Sequence, residues 1–137
     1  MIRCANVSDA VKIAELDSKI FEDSLGLNFI LNDLTNNPMA HYFVYEKNSE
    51  ILGYINCWVS DNTEILNFCV DKKYQKQGIG SLLFDEVDKI SVGVITLEVR
   101  VSNTNAINFY EKRGFKKALI RKNYYSNGED AIFMIRM

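Results

Sequence analysis

Asn67-Phe68-Cys69-Val70-Asp71-Lys72-Lys73-Tyr74-Gln75-Lys76-Gln77-Gly78-Ile79-Gly80-Ser81-Leu82-Leu83 is the stretch on which the reading of this 137-residue chain turns. An apolar strand runs into a basic, glycine-bearing turn, and the turn opens a helix. The first N–H groups of a helix lack intrahelical acceptors and sit at the positive end of its dipole, so such a turn suits an anion. Gly78 and Gly80 leave no Cβ in the way of a phosphate. Lys72, Lys73 and Lys76 gather positive charge beside it, although the chain carries a net charge of −2. A Walker loop would end in Gly-Lys-Ser/Thr, and none is present. A dinucleotide fingerprint would need a third small residue where Leu83 stands. An ordinary strand-to-helix turn with solvated lysines is the plain alternative.

The segments around this turn set the fold class. Upstream, Met1 to Ala5 reads as a short strand. Ser8 or Asp9 then caps a helix carrying Val11, Ile13, Ala14, Leu16 and Ile20. A second helix is expected over roughly 24–34, ended by Asn36-Asn37-Pro38. Three strand-like runs follow, 42–45, 51–59 and 64–70, joined by short polar turns as an antiparallel meander. Downstream of Gly80, Leu82, Leu83, Val87 and Ile90 form an amphipathic stripe. A strand over 94–101 comes next, then a helix over 103–113 capped by Asn103 or Asn105. A final strand pair spans 115–120 and 131–135. The order β-α-α-β-β-β-α-β-α-β-β places one crossover inside an antiparallel set. It predicts an α+β domain with a central mixed, mostly antiparallel sheet of about seven strands and four helices on its faces.

Composition agrees. At 47% hydrophobic and 25% charged residues, with seven glycines and one proline, the chain is globular rather than disordered or fibrous. Its length suits one domain over residues 1–137. The acidic balance gives no expectation of direct nucleic-acid binding. No apolar run approaches the roughly 20 residues that cross a bilayer, and Met1 to Asn6 lacks the apolar core of a secretory signal. No membrane association and a cytoplasmic location are expected. Cys4, Cys57 and Cys69 lie far apart, and His41 is the one histidine, so neither a disulfide framework nor a metal site is expected. All three cysteines read as buried small hydrophobes.

The motifs point further. Gln75-x-x-Gly78-x-Gly80 after a strand resembles the acetyl-CoA signature of the GCN5-related N-acetyltransferase (GNAT) superfamily, and the order of elements resembles that fold. The resemblance implies that Gln75, Lys76, Gln77, Gly78, Ile79, Gly80 and Ser81 hold the pyrophosphate of acetyl-CoA, the co-substrate. It implies that Phe68, Cys69 and Val70 pair with the pantetheine arm through free backbone groups. Asn103-x-x-Ala106-Ile107-x-Phe109-Tyr110-Glu111-x-x-Gly114-Phe115 resembles the general acetyltransferase signature. Leu97-Glu98-Val99-Arg100-x-Ser102-Asn103, with Arg121-Lys122-Asn123-Tyr124-Tyr125 and Glu129-Asp130-Ala131, resembles the ribosomal-protein-alanine branch. Where that branch carries aromatic-Pro-Trp-Ser, this chain reads Phe21-Glu22-Asp23-Ser24.

The resemblance also implies roles. Glu98 is the general base and Tyr110 the general acid, while Asn103 contacts the pantetheine or the acetyl group. Plain readings stand beside each: an ion pair of Glu98 with Arg100 two residues on, core packing for Tyr110, and a helix cap for Asn103. Tyr124 and Tyr125 would shape the acceptor groove, and Glu129-Asp130 would be solvated turn residues. The expected activity is acetylation of the N-terminal alanine of a ribosomal protein, whose N-terminal peptide is the partner. Another amine (lysine, polyamine or small molecule) and a non-catalytic acyl-CoA-binding module are the alternatives.

Overall fold

A computed structural model describes all 137 residues. The helices are α1 (Ala10–Ile20), α2 (Leu27–Asn36), α3 (Ile79–Ile90) and α4 (Thr104–Lys112). The strands are β1 (Ile2–Cys4), β2 (Ala40–Lys47), β3 (Glu50–Val59), β4 (Thr63–Val70), β5 (Ile95–Arg100), β6 (Lys116–Arg121) and β7 (Ala131–Arg136). They form one seven-stranded sheet in the order β1-β2-β3-β4-β5-β7-β6. Every neighbouring pair is antiparallel except β4–β5, so the mixed sheet with four helices is as the sequence predicts.

Alternation in β5 shows how the faces are assigned. Ile95, Leu97 and Val99 are buried on the face covered by α3 and α4. Burying side chains of this size contributes about 1.5–3 kcal/mol each. Thr96, Glu98 and Arg100 point to the other face. There α1 and α2 cover the β2–β3–β4 part of the sheet through Ile13, Leu16, Ile30, Val44 and Tyr54. The β5–β7–β6 part carries no helix, and every residue of β6 is exposed.

The first helix starts differently from the sequence expectation. Neither Ser8 nor Asp9 donates a cap to α1. Instead Asn6 Oδ1 accepts from Ser8 N at 3.0 Å, and the Asp9 carboxylate accepts from Asn6 N at 2.8 Å. This reciprocal pair caps a short 3-10 turn, Val7–Asp9, that leads into the helix. Arg3 holds the other side of Asp9 at 2.7 and 2.9 Å. That guanidinium pushes the Asp9 carboxyl below the usual carboxylate range. The second helix begins at Leu27, later than expected. Asp17, fully buried in α1, accepts the Leu25 N–H at 2.7 Å and holds the connection before it in non-helical form.

The parallel pairing of β4 with β5 is short. It covers Thr63↔Ile95 and Glu64↔Thr96 and then stops. The cause lies in β4, where Asn56 faces Asn67 and Cys57 faces Ile65, leaving Leu66 as an extra residue. Such a bulge bends the strand away from its neighbour. Asn56 Oδ1 accepts the Asn67 N–H at 2.8 Å, which satisfies the backbone donor that the irregularity frees. Asn67 Nδ2 in turn donates to Asp17 at 2.8 Å. From Asn67 to Val70 the sheet is therefore split, with backbone groups of β4 facing a gap.

Candidate active site

The turn at the open end of this gap has the expected polarity and a different internal logic. Asp71 caps the short 3-10 turn Lys72–Tyr74 by accepting from Lys73 N at 3.0 Å. Gln75 Nε2 donates to the Val70 carbonyl at 3.0 Å, so this side chain closes the turn rather than projecting from it. Lys76 and Gly78 have φ of 64° and 85°. The buried Ile79 anchors the start of α3, and the first helical bond is Leu82 N to Gly78 O at 3.1 Å. The amides of Ile79, Gly80 and Ser81 precede that bond and are free for a ligand. Gln77 and Ser81 are exposed beside them.

The two glycines are there for different reasons. A Cβ on Gly78 would meet nothing within 4 Å, so this surface is open and the positive φ is what requires glycine. A Cβ on Gly80 would lie 3.0 Å from Cζ of Phe68. Close packing of α3 on that ring is therefore a second reason for glycine at this position.

Phe68 sits among Phe84, Phe109 and Tyr110, with ring centroids 5.4–6.2 Å apart. Val70 packs on the same side. Cys69 faces the opposite layer, against the α1 side, so only its backbone adjoins the gap. Burial raises its thiol pKa well above the ordinary value, and it pushes Cys57 up to about 12. Cys4 is exposed, against the expectation that all three cysteines are buried.

Asn103 caps α4, with Oδ1 accepting from Ala106 N at 3.2 Å. Its cap role is realised, and the residue is exposed. Two turns along α4, Tyr110 is 7% exposed. No protein group hydrogen-bonds its hydroxyl. Burial raises its pKa above the ordinary phenol value, with smaller contributions from Tyr125 and Cys69. Its ring lies 6.2 Å from that of Phe68, on the β4 edge of the split.

Glu98 occupies the open face of β5. Its ion-pair partner is Arg121, at 3.2 Å, and not Arg100 as the plain reading expected. Desolvation raises the Glu98 pKa, the Arg121 cation opposes, and the nearby Glu64 adds to the rise. Glu98 and Tyr110 thus approach the β4–β5 gap from opposite faces of the sheet.

Arg100 closes one end of this face. Its guanidinium reaches Asp23 at 3.3 Å and Glu129 at 3.1 Å and lies 4.0 Å from the centroid of Tyr125. Asp23 also accepts from Ser126 N at 3.0 Å. The α1–α2 connection and the β6–β7 connection meet there. Glu129 further accepts from Ser102 N at 2.9 Å, and Asp130 from Asn123 N at 2.9 Å. The acidic pair therefore braces the loop, contrary to the reading of solvated turn residues. Tyr124 stands 50% exposed on the same connection. Arg121 and Asp23 both stand within the quoted motifs, but their partners were not legible there, because each meets its partner only through strand register or loop contact.

Comparison with known proteins decides the family. The acetyltransferase (GNAT) family model matches residues 10–115. The chain belongs to the GNAT family. It is 34% identical over 139 residues to the putative [ribosomal protein bS18]-alanine N-acetyltransferase of Bacillus subtilis (strain 168), covering 97% of this chain and 92% of that one. It is 46% identical over 123 residues to the [ribosomal protein bS18]-alanine N-acetyltransferase of Escherichia coli (strain K12), covering 85% and 76%. A crystal structure of the Escherichia coli ribosomal-protein-S18-alanine N-acetyltransferase matches with a TM-score of 0.87 and 30% identity, covering 99% of this chain and 92% of that one. The Arabidopsis thaliana NAA60 complex with acetyl-CoA shares the fold, with a TM-score of 0.83 and 19% identity over 98% and 96%. This protein is an acetyl-CoA-dependent GNAT N-acetyltransferase, and its sequence similarity runs to the ribosomal-protein-alanine type. No helix is long and apolar enough to cross a membrane.

Proposed function

We propose that this enzyme acetylates the α-amine of an N-terminal alanine on a ribosomal protein, in the cytoplasm and as one domain over residues 1–137. The observation that carries the reading is the split between β4 and β5, with a carboxylate of raised pKa on one side and a protonated phenol on the other.

The residues present fit acetyl-CoA. The amides of Gln77 to Ser81 face outward at a helix start, and Lys76 with Gly78 forms a left-handed corner open to solvent. Three lysines surround it, and backbone groups of Phe68, Cys69 and Val70 border the gap as an unpaired strand edge would. Asn103 stands at the mouth of α4. Bound there, acetyl-CoA supplies an acetyl group activated as a thioester.

The chain's own residues handle protons. An ordinary carboxylate has a pKa of about 4.3 and an α-ammonium about 7.7–8.0, so direct transfer is uphill by roughly 5 kcal/mol. Desolvation of Glu98 narrows that difference from the carboxylate side. Glu98 takes the proton of the attacking amine, directly or through water. The C–N bond forms, the C–S bond breaks, and Tyr110 donates its hydroxyl hydrogen toward the departing sulfur. Because burial makes a lasting phenolate costly, the proton that Tyr110 gives to the departing sulfur is replaced from water that enters the gap, so that the thiol leaves neutral and Tyr110 ends as the phenol.

The same arithmetic favours an α-amine. At pH 7 it is roughly 10–15% neutral, while a lysine amine is well below 0.1% neutral, a difference of about 3.4 kcal/mol in preparing the nucleophile. The test is mass spectrometry of peptides incubated with enzyme and acetyl-CoA. A peptide beginning with Ala is acetylated faster than its N-terminally blocked, lysine-containing counterpart. Equal or preferred labelling of the lysine peptide, or of polyamines, overturns the reading.

A further inference from the structure

Asp17 is fully buried in α1, and neutral donors rather than a cation hold its carboxylate. Oδ2 accepts from Leu25 N at 2.7 Å. Oδ1 accepts from Asn67 Nδ2 at 2.8 Å and from the Tyr54 hydroxyl. Burial lifts the Tyr54 phenol well above its ordinary pKa, so this group remains a donor. The three donors stand on three separate pieces of chain: the α1–α2 connection, the middle of β3, and the point where β4 leaves β5.

Each piece borders a part of the site. Asn67 immediately precedes Phe68 to Val70, whose backbone groups adjoin the gap. Tyr54 is the register partner of Cys69. The α1–α2 connection also carries Asp23, which reaches Arg100 and Ser126 N. One carboxylate therefore joins the split edge of β4 to the connection that meets Arg100. Its two oxygens form one rigid plane, so a shift of Asn67 is felt at the bond to Leu25 N.

Stability alone does not account for this arrangement. Asn56 supplies Oδ1 to the Asn67 N–H, but its Nδ2 is buried without a partner. A buried donor left unpaired is destabilising. A regular ladder would pair the Asn67 N–H with a backbone carbonyl and need no asparagine here. The irregularity is kept nonetheless, at the point where the gap opens.

We infer that Asp17 is a positioning residue that couples the two sides of the site. When acetyl-CoA fixes the edge of β4, Asn67 fixes the carboxylate, and the carboxylate fixes the α1–α2 connection through the Leu25 N–H. Coupling of this kind is reciprocal, so order in the connection also favours the β4 edge that binds the co-substrate. The inference rests on the placement of acetyl-CoA along Phe68 to Val70 and holds for any amine acceptor.

Amide exchange read residue by residue by NMR, with and without acetyl-CoA, tests it. The Leu25 N–H is bonded inside the protein and is not free for the co-substrate. It is nevertheless expected to slow at least about fivefold when acetyl-CoA binds, the lower range of coupling between sites. Asn67→Ala deletes the donor to Asp17 and leaves the backbone bond to Asn56. Asp17→Asn keeps the shape but turns one acceptor into a donor, so Leu25 and Asn67 cannot both be served. Both variants are expected to abolish the slowing at Leu25 and to retain it at Gln77 to Ser81. Tyr54→Phe removes the third donor but keeps the link from Asn67 to Leu25, so there the slowing persists. A merely structural role for Asp17 would lower the melting temperature of all three variants and leave the Leu25 response in place, which overturns the inference. If Asp17→Asn does not fold, Asn67→Ala decides alone. An unchanged Leu25 amide in the wild type, beside slowed gap-bordering amides of Phe68 to Val70, overturns the coupling and leaves the co-substrate placement standing. No slowing at Phe68 to Val70 overturns the placement and the coupling with it.

Discussion

At the residue scale, Glu98 is a compromise between two fields. Desolvation and the Glu64 carboxylate push its pKa up, while Arg121 at 3.2 Å pulls it down, and the rise wins. The protonated form cannot act as a base, so activity falls as pH drops through the Glu98 pKa. The acid limb of kcat/KM is expected above the ordinary carboxylate range. Arg121→Gln removes the opposing cation and moves the limb to higher pH. Glu64→Gln removes a like charge and moves it to lower pH. Glu98→Gln removes the Glu98 contribution, leaves the limb of the substrate amine, and lowers turnover by about 10²–10⁴-fold, with the acetyl-CoA dissociation constant unchanged. A pH–rate series on the free enzyme reads all three, and limbs that move in the opposite directions would remove Glu98 from the role of base.

At the scale of elements, the strand–turn–helix segment separates two costs that a motif merges. Gly78 pays for conformation, since any side chain there is held at a φ of 85° with open space around it. Gly80 is needed for packing, since its Cβ would press on Phe68. Gly80→Ala is expected to lower stability by about 1–3 kcal/mol, the range for overpacking. Gly78→Ala is expected to cost about 1–2 kcal/mol through the left-handed backbone alone. Gly78→Asp adds a like charge at the anion site and weakens acetyl-CoA binding further than Gly78→Ala does. Denaturant melts beside titration calorimetry separate the effects, and equal calorimetric losses for the Ala and Asp variants at Gly78 would argue against an anion there. The example also marks where sequence is readable. The apolar stripe of α3, the alternation of β5 and the basic turn are local patterns, and each was legible. The cap at Asn6 was missed because Ser8 and Asp9 are equally good capping residues, and only the contact with Arg3 turns Asp9 backward. The Glu98–Arg121 pair was missed because it depends on the register of β5 with β7 and of β7 with β6. The buried carboxylate of Asp17 looked like any polar helix residue, yet it joins α1 to Leu25 and Asn67.

At the scale of the whole molecule, the sheet is intact at the start of β4 and β5 and split at their ends, so its two halves share few backbone bonds where the chemistry is placed. One side is held by the α1–α2 layer and the other by β7, β6 and α4. A ligand that bonds to the free edge of β4 and to the start of α3 bridges these halves as an added strand would. Binding to the folded state alone stabilises by about 2.7 kcal/mol at a ligand concentration of 100 times the dissociation constant. For a chain of 137 residues that corresponds to a rise in melting temperature of roughly 10 °C. Protection should not be uniform. The amides of Phe68 to Val70 that border the gap and those of Gln77 to Ser81 at the turn are expected to slow most in hydrogen exchange, while the Asn67 N–H, already held by Asn56, changes little. The amides of Thr63 and Glu64 sit where β4 already pairs with β5 and are expected to change little. Glu98→Gln should keep the whole pattern, since its carboxylate lies on the acceptor face, whereas Gly78→Asp should lose it. Exchange measured by mass spectrometry with and without acetyl-CoA provides the check. Slowing confined to β6 and β7, with Phe68 to Val70 unchanged, would place the co-substrate away from the split and detach Phe68, Cys69 and Val70 from its binding.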